Sequence, residues 1–216
     1  MNRTPITTLR DIVPLRPLMR HEHLRLAELQ AQRFLKLTSI DGPAVPMRII
    51  TDIPKLRVSV MRPFPTSGAS HWKDGLWMVI LNGREPQTRR RFSLAHEFKH
   101  ILDDRFRNLI YAEIPPKDRD EFSEQVCDYF AGCLLIPRPW LKRSWGQGVQ
   151  TTKDLARIFD VSEAAIETRL GQIGLVEPRP RCDRAIIDWN TIRTNTVHIT
   201  RYERALHPDY AYGAAT

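Results

Sequence analysis

His96-Glu97-Phe98-Lys99-His100 is the stretch of this 216-residue chain whose residue types and spacing suit chemistry best. Histidines at i and i+4 share one face of a helix, so both imidazoles can reach one metal ion, and zinc is the ion that such a set suits. Glu97 follows the first histidine. From there it can take a proton from an attacking water without binding the metal itself, and then pass it to the leaving amine. Phe92, Leu94, Ala95, Phe98, Ile101 and Leu102 give this segment an apolar surface. The pattern predicts a helix that follows residues 84–89 and runs to about Asp104.

A catalytic zinc needs a third protein ligand and one open position. A second predicted helix, from about Asp118 to Ile136 and stopped by Pro137, carries Glu124 and Asp128. Glu124, Cys127, Asp128 and Ala131 fall on one face of it. Glu124 is the expected third ligand, with Glu121 one turn earlier as its competitor. Asp128 is expected to accept a hydrogen bond from a ligating histidine and so orient it. Cys127 and Ala131 are small enough to let the two helices approach closely. The developing oxyanion needs a further donor, for which His71 and Tyr129 stand as candidates.

The elements that must position these residues are legible in outline. Leu24, Ala27, Ala31, Phe34 and Leu35 recur at helical spacing, predicting an amphipathic helix over 20–37 on which His21 and His23 face solvent. A short helix is expected over 46–53. Leu56–Met61 alternates as a strand. Residues 66–72, a turn at Lys73-Asp74-Gly75 and residues 76–81 form a hairpin, with Trp72 and Trp77 covering the sheet. Either hairpin strand, 67–72 or 77–82, offers an edge for an extended peptide. A polar loop with Pro115-Pro116 separates the two helices. Residues 138–176 read as all helical, with helices over 151–159 and 162–173. Two strands are expected at 185–189 and 196–200. Strands and helices segregated along the chain give an α+β class. Arg89-Arg90-Arg91 sits at the start of the His96 helix, an unfavourable end for cations, and is expected to contact the second helix's acids or to be solvated.

Composition limits the function classes. Net charge is +8, with 26 Arg among 33 basic residues, which by itself suggests nucleic acid. The charge is nevertheless dispersed, and residues 108–136, around Glu124, carry −4. Residues 151–176 have helix-turn-helix spacing but carry −1, with Glu163 and Glu167 early in the would-be reading helix. A groove-reading helix presents Arg, Lys, Asn or Gln there, so direct DNA binding is not expected. No apolar run suggests a membrane span or secretory signal, and three cysteines (Cys127, Cys133, Cys182) make no disulfide framework; a cytoplasmic protein is expected.

Residues 91–102 (Arg-Phe-Ser-Leu-Ala-His-Glu-Phe-Lys-His-Ile-Leu), Glu124–Asp128, Phe130-Ala131 and Leu134–Pro137 together resemble the ImmA/IrrE metallopeptidases. Residues 67–72 and 77–82, and 155–165 with Arg169-Leu170, are also similar to that family. The resemblance spans about residues 20–176. Departures are Phe98-Lys99 inside the motif and Cys127 where the family usually has Ala. The resemblance implies a zincin-like core of the gluzincin type with Zn²⁺ on His96, His100 and Glu124. It also implies a bacterial or phage cytoplasmic protease that cleaves a helix-turn-helix repressor and so relieves a stress or mobile-element regulon. The expected organisation is a zinc metallopeptidase domain over 1–148, a helical helix-turn-helix-like segment over 149–176, and an unassigned extension over 177–216. The competing expectation is a regulator that binds DNA or sequesters a repressor without cutting it, in a toxin–antitoxin-like operon.

Overall fold

A computed structural model describes residues 3–176. In chain order the elements are α1 (Pro5–Arg10), α2 (Arg20–Leu37), α3 (Arg48–Thr51), β1 (Leu56–Met61), β2 (Gly68–Lys73), β3 (Leu76–Asn82), α4 (Gln87–Asp103), a 3₁₀ turn (Asp104–Phe106), α5 (Arg107–Ile110), α6 (Pro116–Leu135), α7 (Arg138–Gly146), α8 (Thr152–Phe159) and α9 (Glu163–Gln172). The class is α+β. The strands expected at 185–189 and 196–200, and Cys182, lie outside the described residues.

The sheet is mixed, in the order β1-β3-β2. β3 is central, pairing parallel with β1 (Val58 opposite Val79) and antiparallel with β2 (Ser70 opposite Val79). Its alternation buries Trp77, Val79 and Leu81 on the helical side. The β2–β3 hairpin turns at Asp74-Gly75, both at positive φ (50° and 78°). That is the two-residue turn whose twist matches paired strands, and Asp-Gly is suited to it. β2 is left as an edge strand beside α4. The expected alternative edge, 77–82, is β3 and is paired on both sides.

α4 packs across the sheet on one side and against α6 on the other, and α2 packs along α6. Phe98 of α4 sits between Phe34 of α2 and Phe130 of α6, with ring centroids 4.9 and 6.3 Å away. Leu155, Phe159, Ile166 and Leu170 of α8 and α9 belong to the same buried core. Each of these two helices opens on a side-chain cap, Thr151 accepting from Asp154 N and Ser162 from Ala165 N.

Three expectations are corrected. The segment after α4 is not a polar loop: it forms the 3₁₀ turn and α5, and buries Phe106, Ile110, Tyr111 and Ile114. His23 is not solvent-facing but 1% exposed, stacked on Tyr111 at 4.2 Å. Its spacing to Ala27, Gln30 and Phe34 places it on the core stripe of α2. Arg91 reaches neither the acids of α6 nor solvent. It is buried, bonding the Asp160 carbonyl (2.9 Å) and carboxylate (3.1 Å) and the Val45 carbonyl (2.9 Å). It therefore ties the start of α4 to the α8–α9 turn, where Asp160 adopts φ 52°.

Candidate metal centre

α4 and α6 bring His96, His100 and Glu124 to one point. The two histidine Nε2 atoms are 3.0 Å apart. Glu124 reaches both, with Oε2 3.1 Å from His96 Nε2 and Oε1 3.2 Å from His100 Nε2. With the proton on neither Nε2 the two facing nitrogens offer each other only lone pairs, so this approach calls for a proton on one Nε2 or a cation between them. A tetrahedral zinc with bonds of 2.0–2.1 Å sets its donors about 3.3 Å apart, and the observed triangle fits that chemistry.

Asp128 Oδ1 lies 2.8 Å from His96 Nδ1. Nδ1–H then donates to the carboxylate and Nε2 turns its lone pair toward the donor cluster. Burial pulls the His96 pKa down, but the hydrogen bond and charge of Asp128, then Glu124 and Glu97, outweigh it and raise the pKa above the ordinary value. Burial lowers that of His100, and the neighbouring His96 lowers it further. Positive charge is thus favoured at His96 over His100.

Glu97 is buried on the sheet side of the histidines. Ser70 Oγ of β2 donates to its Oε2 at 2.7 Å. A Cβ on Gly68 would stand 3.2 Å from Glu97 Cγ and 3.3 Å from its Oε1, so glycine there lets β2 close on the carboxylate. Two cavities of about 300 Å³ flank this group. One is lined by Ser70, Trp77, Glu97, His100, Arg107 and Cys127 among others. The other is lined by Gly68, Arg89, His96, Glu97, Glu124 and Asp128 among others.

The remaining predicted residues lie elsewhere. His71 alternates away from Ser70, pairs with Met78 and is exposed. Tyr129 packs against Arg169, whose guanidinium is 5.2 Å from its ring. Neither is brought to the histidines as an oxyanion donor would be. Glu121 is bonded to Gln125 on exposed helix surface. Cys127 is 1% exposed, and burial raises its thiol pKa well above the ordinary value. Its sulfur and one ring nitrogen from each of His96 and His100 lie within 4.8 Å of one another. Two donor groupings therefore share the histidine pair, and Glu124 makes the tighter one.

Ser70 and Gly68 were not singled out from the sequence, because their contact with Glu97 depends on how β2 lies on α4. A second polar group was also missed. Lys99 Nζ, 1% exposed, bonds Asp103 at 2.6 Å and Gln30 at 2.9 Å; the Tyr111 hydroxyl donates to Asp103 at 3.1 Å. Gln30 Nε2 donates in turn to the Leu9 carbonyl.

An α+β core that holds two histidines and a carboxylate at metal-binding separation, with a buried carboxylate beside them, has the features of a metallopeptidase site. Residues 56–171, more than half of the chain, match the family model of the IrrE N-terminal-like domain, peptidase family M78, and the chain belongs to that family. The radiation response metalloprotease IrrE of Deinococcus radiodurans is 24% identical over 117 residues, which is 50% of this chain and 36% of that protein. A Mycobacterium tuberculosis transcriptional regulator superimposes with a TM-score of 0.56 at 17% identity, over 78% of this chain and 52% of that one. The latter likeness is one of fold alone. The chain spans only about a third to a half of the length of these relatives. Among the described residues, no helix is long and apolar enough to cross a membrane.

Proposed function

We propose that the chain is a zinc-dependent endopeptidase of zincin-like fold that cleaves a helix-turn-helix transcriptional repressor, relieving repression of a stress or mobile-element regulon. The observation that carries the catalytic part is the convergence of His96, His100 and Glu124 at 3.0–3.2 Å beside the buried Glu97. His96, His100 and Glu124 would hold the ion. Bound there, Zn²⁺ supplies Lewis acidity to a water and to the scissile carbonyl. Asp128 holds His96 in the ligating tautomer. Ser70 pins Oε2 of Glu97 and leaves Oε1 to take the proton of the attacking water and hand it to the leaving amine nitrogen. The open edge of β2, which carries Gly68 and Ser70, suits an extended substrate segment by strand addition. The name of the Deinococcus relative supports metalloprotease chemistry; the repressor as substrate rests on the family resemblance alone.

The helix-turn-helix-like α8–α9 serves in this reading as a unit that docks a protein partner. Glu163 and Glu167 near the start of α9 disfavour a phosphate backbone there.

The test is co-expression with the helix-turn-helix repressor encoded nearest to the chain, comparing wild type with Glu97→Gln and His96→Ala. Wild type should cleave. Glu97→Gln should retain zinc while cleavage falls about 10²–10⁴-fold. His96→Ala should lose both. Repressor left intact by zinc-loaded wild type would exclude it as substrate, and full cleavage by Glu97→Gln would remove Glu97 from the mechanism.

A further inference from the structure

Resting on the metal-centre reading above, we propose that Cys127 is an additional protein ligand of the same ion: its thiolate joins His96, His100 and Glu124 as a fourth donor and closes the centre to water until the sulfur withdraws.

Glu124 and Cys127 are three residues apart on α6 and share the face turned toward the histidine pair. Glu124 lines the cavity on the His96 side, and Cys127 lines the one on the His100 side. The Cys127 sulfur already lies within 4.8 Å of ring nitrogens of both histidines. A zinc with nitrogen bonds of 2.0–2.1 Å and a sulfur bond of 2.3 Å needs an N···S separation of about 3.6 Å. The remaining movement is on the order of 1 Å. The thiol is free and buried, in a cavity that holds the proposed catalytic carboxylate. Cys133, the other buried thiol on α6, faces Tyr129 and Arg169 instead, and so serves as an internal control.

The chemical consequence follows from ligand count. Three protein donors leave a position for water, whereas four make a closed site of the structural type. Cys127 and Glu97 line one cavity, so the sulfur enters the space where a water must stand for Glu97 to take its proton. Ligation forms one metal–sulfur bond, displaces that water and releases the thiol proton to solvent. Withdrawal breaks the bond, returns a proton to sulfur and readmits water. Sulfur also shifts metal preference toward softer ions than a His–His–carboxylate set would favour.

The experiment is cobalt(II) substitution of the full chain in wild type, Cys127→Ala, Cys127→Ser and Cys133→Ala, with X-ray absorption of the zinc-loaded wild type alongside. The expected result is a near-ultraviolet sulfur-to-cobalt charge-transfer band in wild type and Cys133→Ala. The band is absent from both Cys127 variants, whose visible cobalt bands persist. Zinc-loaded wild type should show one sulfur neighbour at about 2.3 Å. It should also release one more proton per zinc than Cys127→Ala. Visible cobalt bands without a charge-transfer band, together with only nitrogen and oxygen neighbours around zinc, would overturn the role of Cys127 and leave the metal centre standing. A charge-transfer band that survives in Cys127→Ala would overturn it too. Failure of every form to bind cobalt or zinc would defeat the metal reading and this proposal with it. The X-ray absorption measurement needs no variant, so it decides the matter even if a substitution disturbs folding.

Discussion

Two polar clusters hang from neighbouring turns of α4, and they differ in how their valences are used. His96, His100 and Glu124 converge with two imidazole nitrogens and two carboxylate oxygens at 3.0–3.2 Å, open to cavities on either side. Lys99, Asp103, Gln30 and Tyr111 are buried, and there cationic or hydroxyl donors face acceptors at 2.6–3.1 Å. The second cluster is complete within the chain. The first is completed by a proton on one Nε2 or by an added cation. Density of polar groups is similar in both, and the sign match separates the buried donor–acceptor set from the one whose chemistry suits an ion. The complementary cluster also has a positional role. Lys99 sits inside the HExxH pentapeptide, and its partners reach α2 and the segment after α4, so the bonds that bury it also fix the helix bearing the histidines.

Breaking the complementary cluster should produce the largest effect on stability. Lys99→Met leaves the Asp103 carboxylate buried without its cation, at a cost of about 3–5 kcal/mol measured by denaturant unfolding. Adding Asp103→Leu should recover much of that loss. A single variant as stable as wild type would show that the pair does not anchor α4. Next comes the pH dependence of the same region. Burial first, and then Lys99, lower the pKa of His23 from 6.5 to about 4 against the opposing pull of Asp103, and its Nε2 has no partner among the described residues. Above pH 6.5 the histidine is neutral in both folded and unfolded chains and costs nothing. Between pH 6.5 and 4 the unfolded chain takes up a proton that the folded chain refuses, so stability is lost as pH falls, by about 3 kcal/mol. His23→Phe should flatten the unfolding free energy across that window; an unchanged slope would remove His23 as its source. The smallest effect should fall on the metal side. Asp128→Asn weakens the grip on the His96 tautomer and should lower zinc affinity about 10- to 100-fold with little loss of stability, read by competition with a chelator. A large fall in stability before zinc is added would blur the distinction between the two clusters.

The histidine side was the more legible of the two. HExxH and the Glu124–Asp128 spacing are local patterns, and helical periodicity alone puts each set on one face. The sheet was legible for a similar reason, since alternation and an Asp-Gly turn are short-range signals. The interior of α4 was less so. Lys99 and Arg91 are charged types that ordinarily sit in water, and their burial depends on acceptors 69 residues away in either direction, Gln30 and Asp160. His23 could have been placed by its spacing on α2, but its residue type argued against burial. The short helices after α4 were hidden because Phe106, Ile110, Tyr111 and Ile114 lie among charged residues and become a core only against α2 and α6.

The sequence by itself determined which residues can meet a metal, because i,i+4 and i,i+3 spacings on a helix are properties of the backbone alone. It also determined the α+β order of elements, through hydrophobic period. Only the tertiary structure decided what stands beside those residues: Ser70 and Gly68 against Glu97, β2 rather than β3 as an edge, and the Cys127 sulfur within 4.8 Å of ring nitrogens of both histidines. Such contacts depend on the distance and angle between elements far apart in the chain, and those are set by the summed packing of the core, which no local pattern encodes.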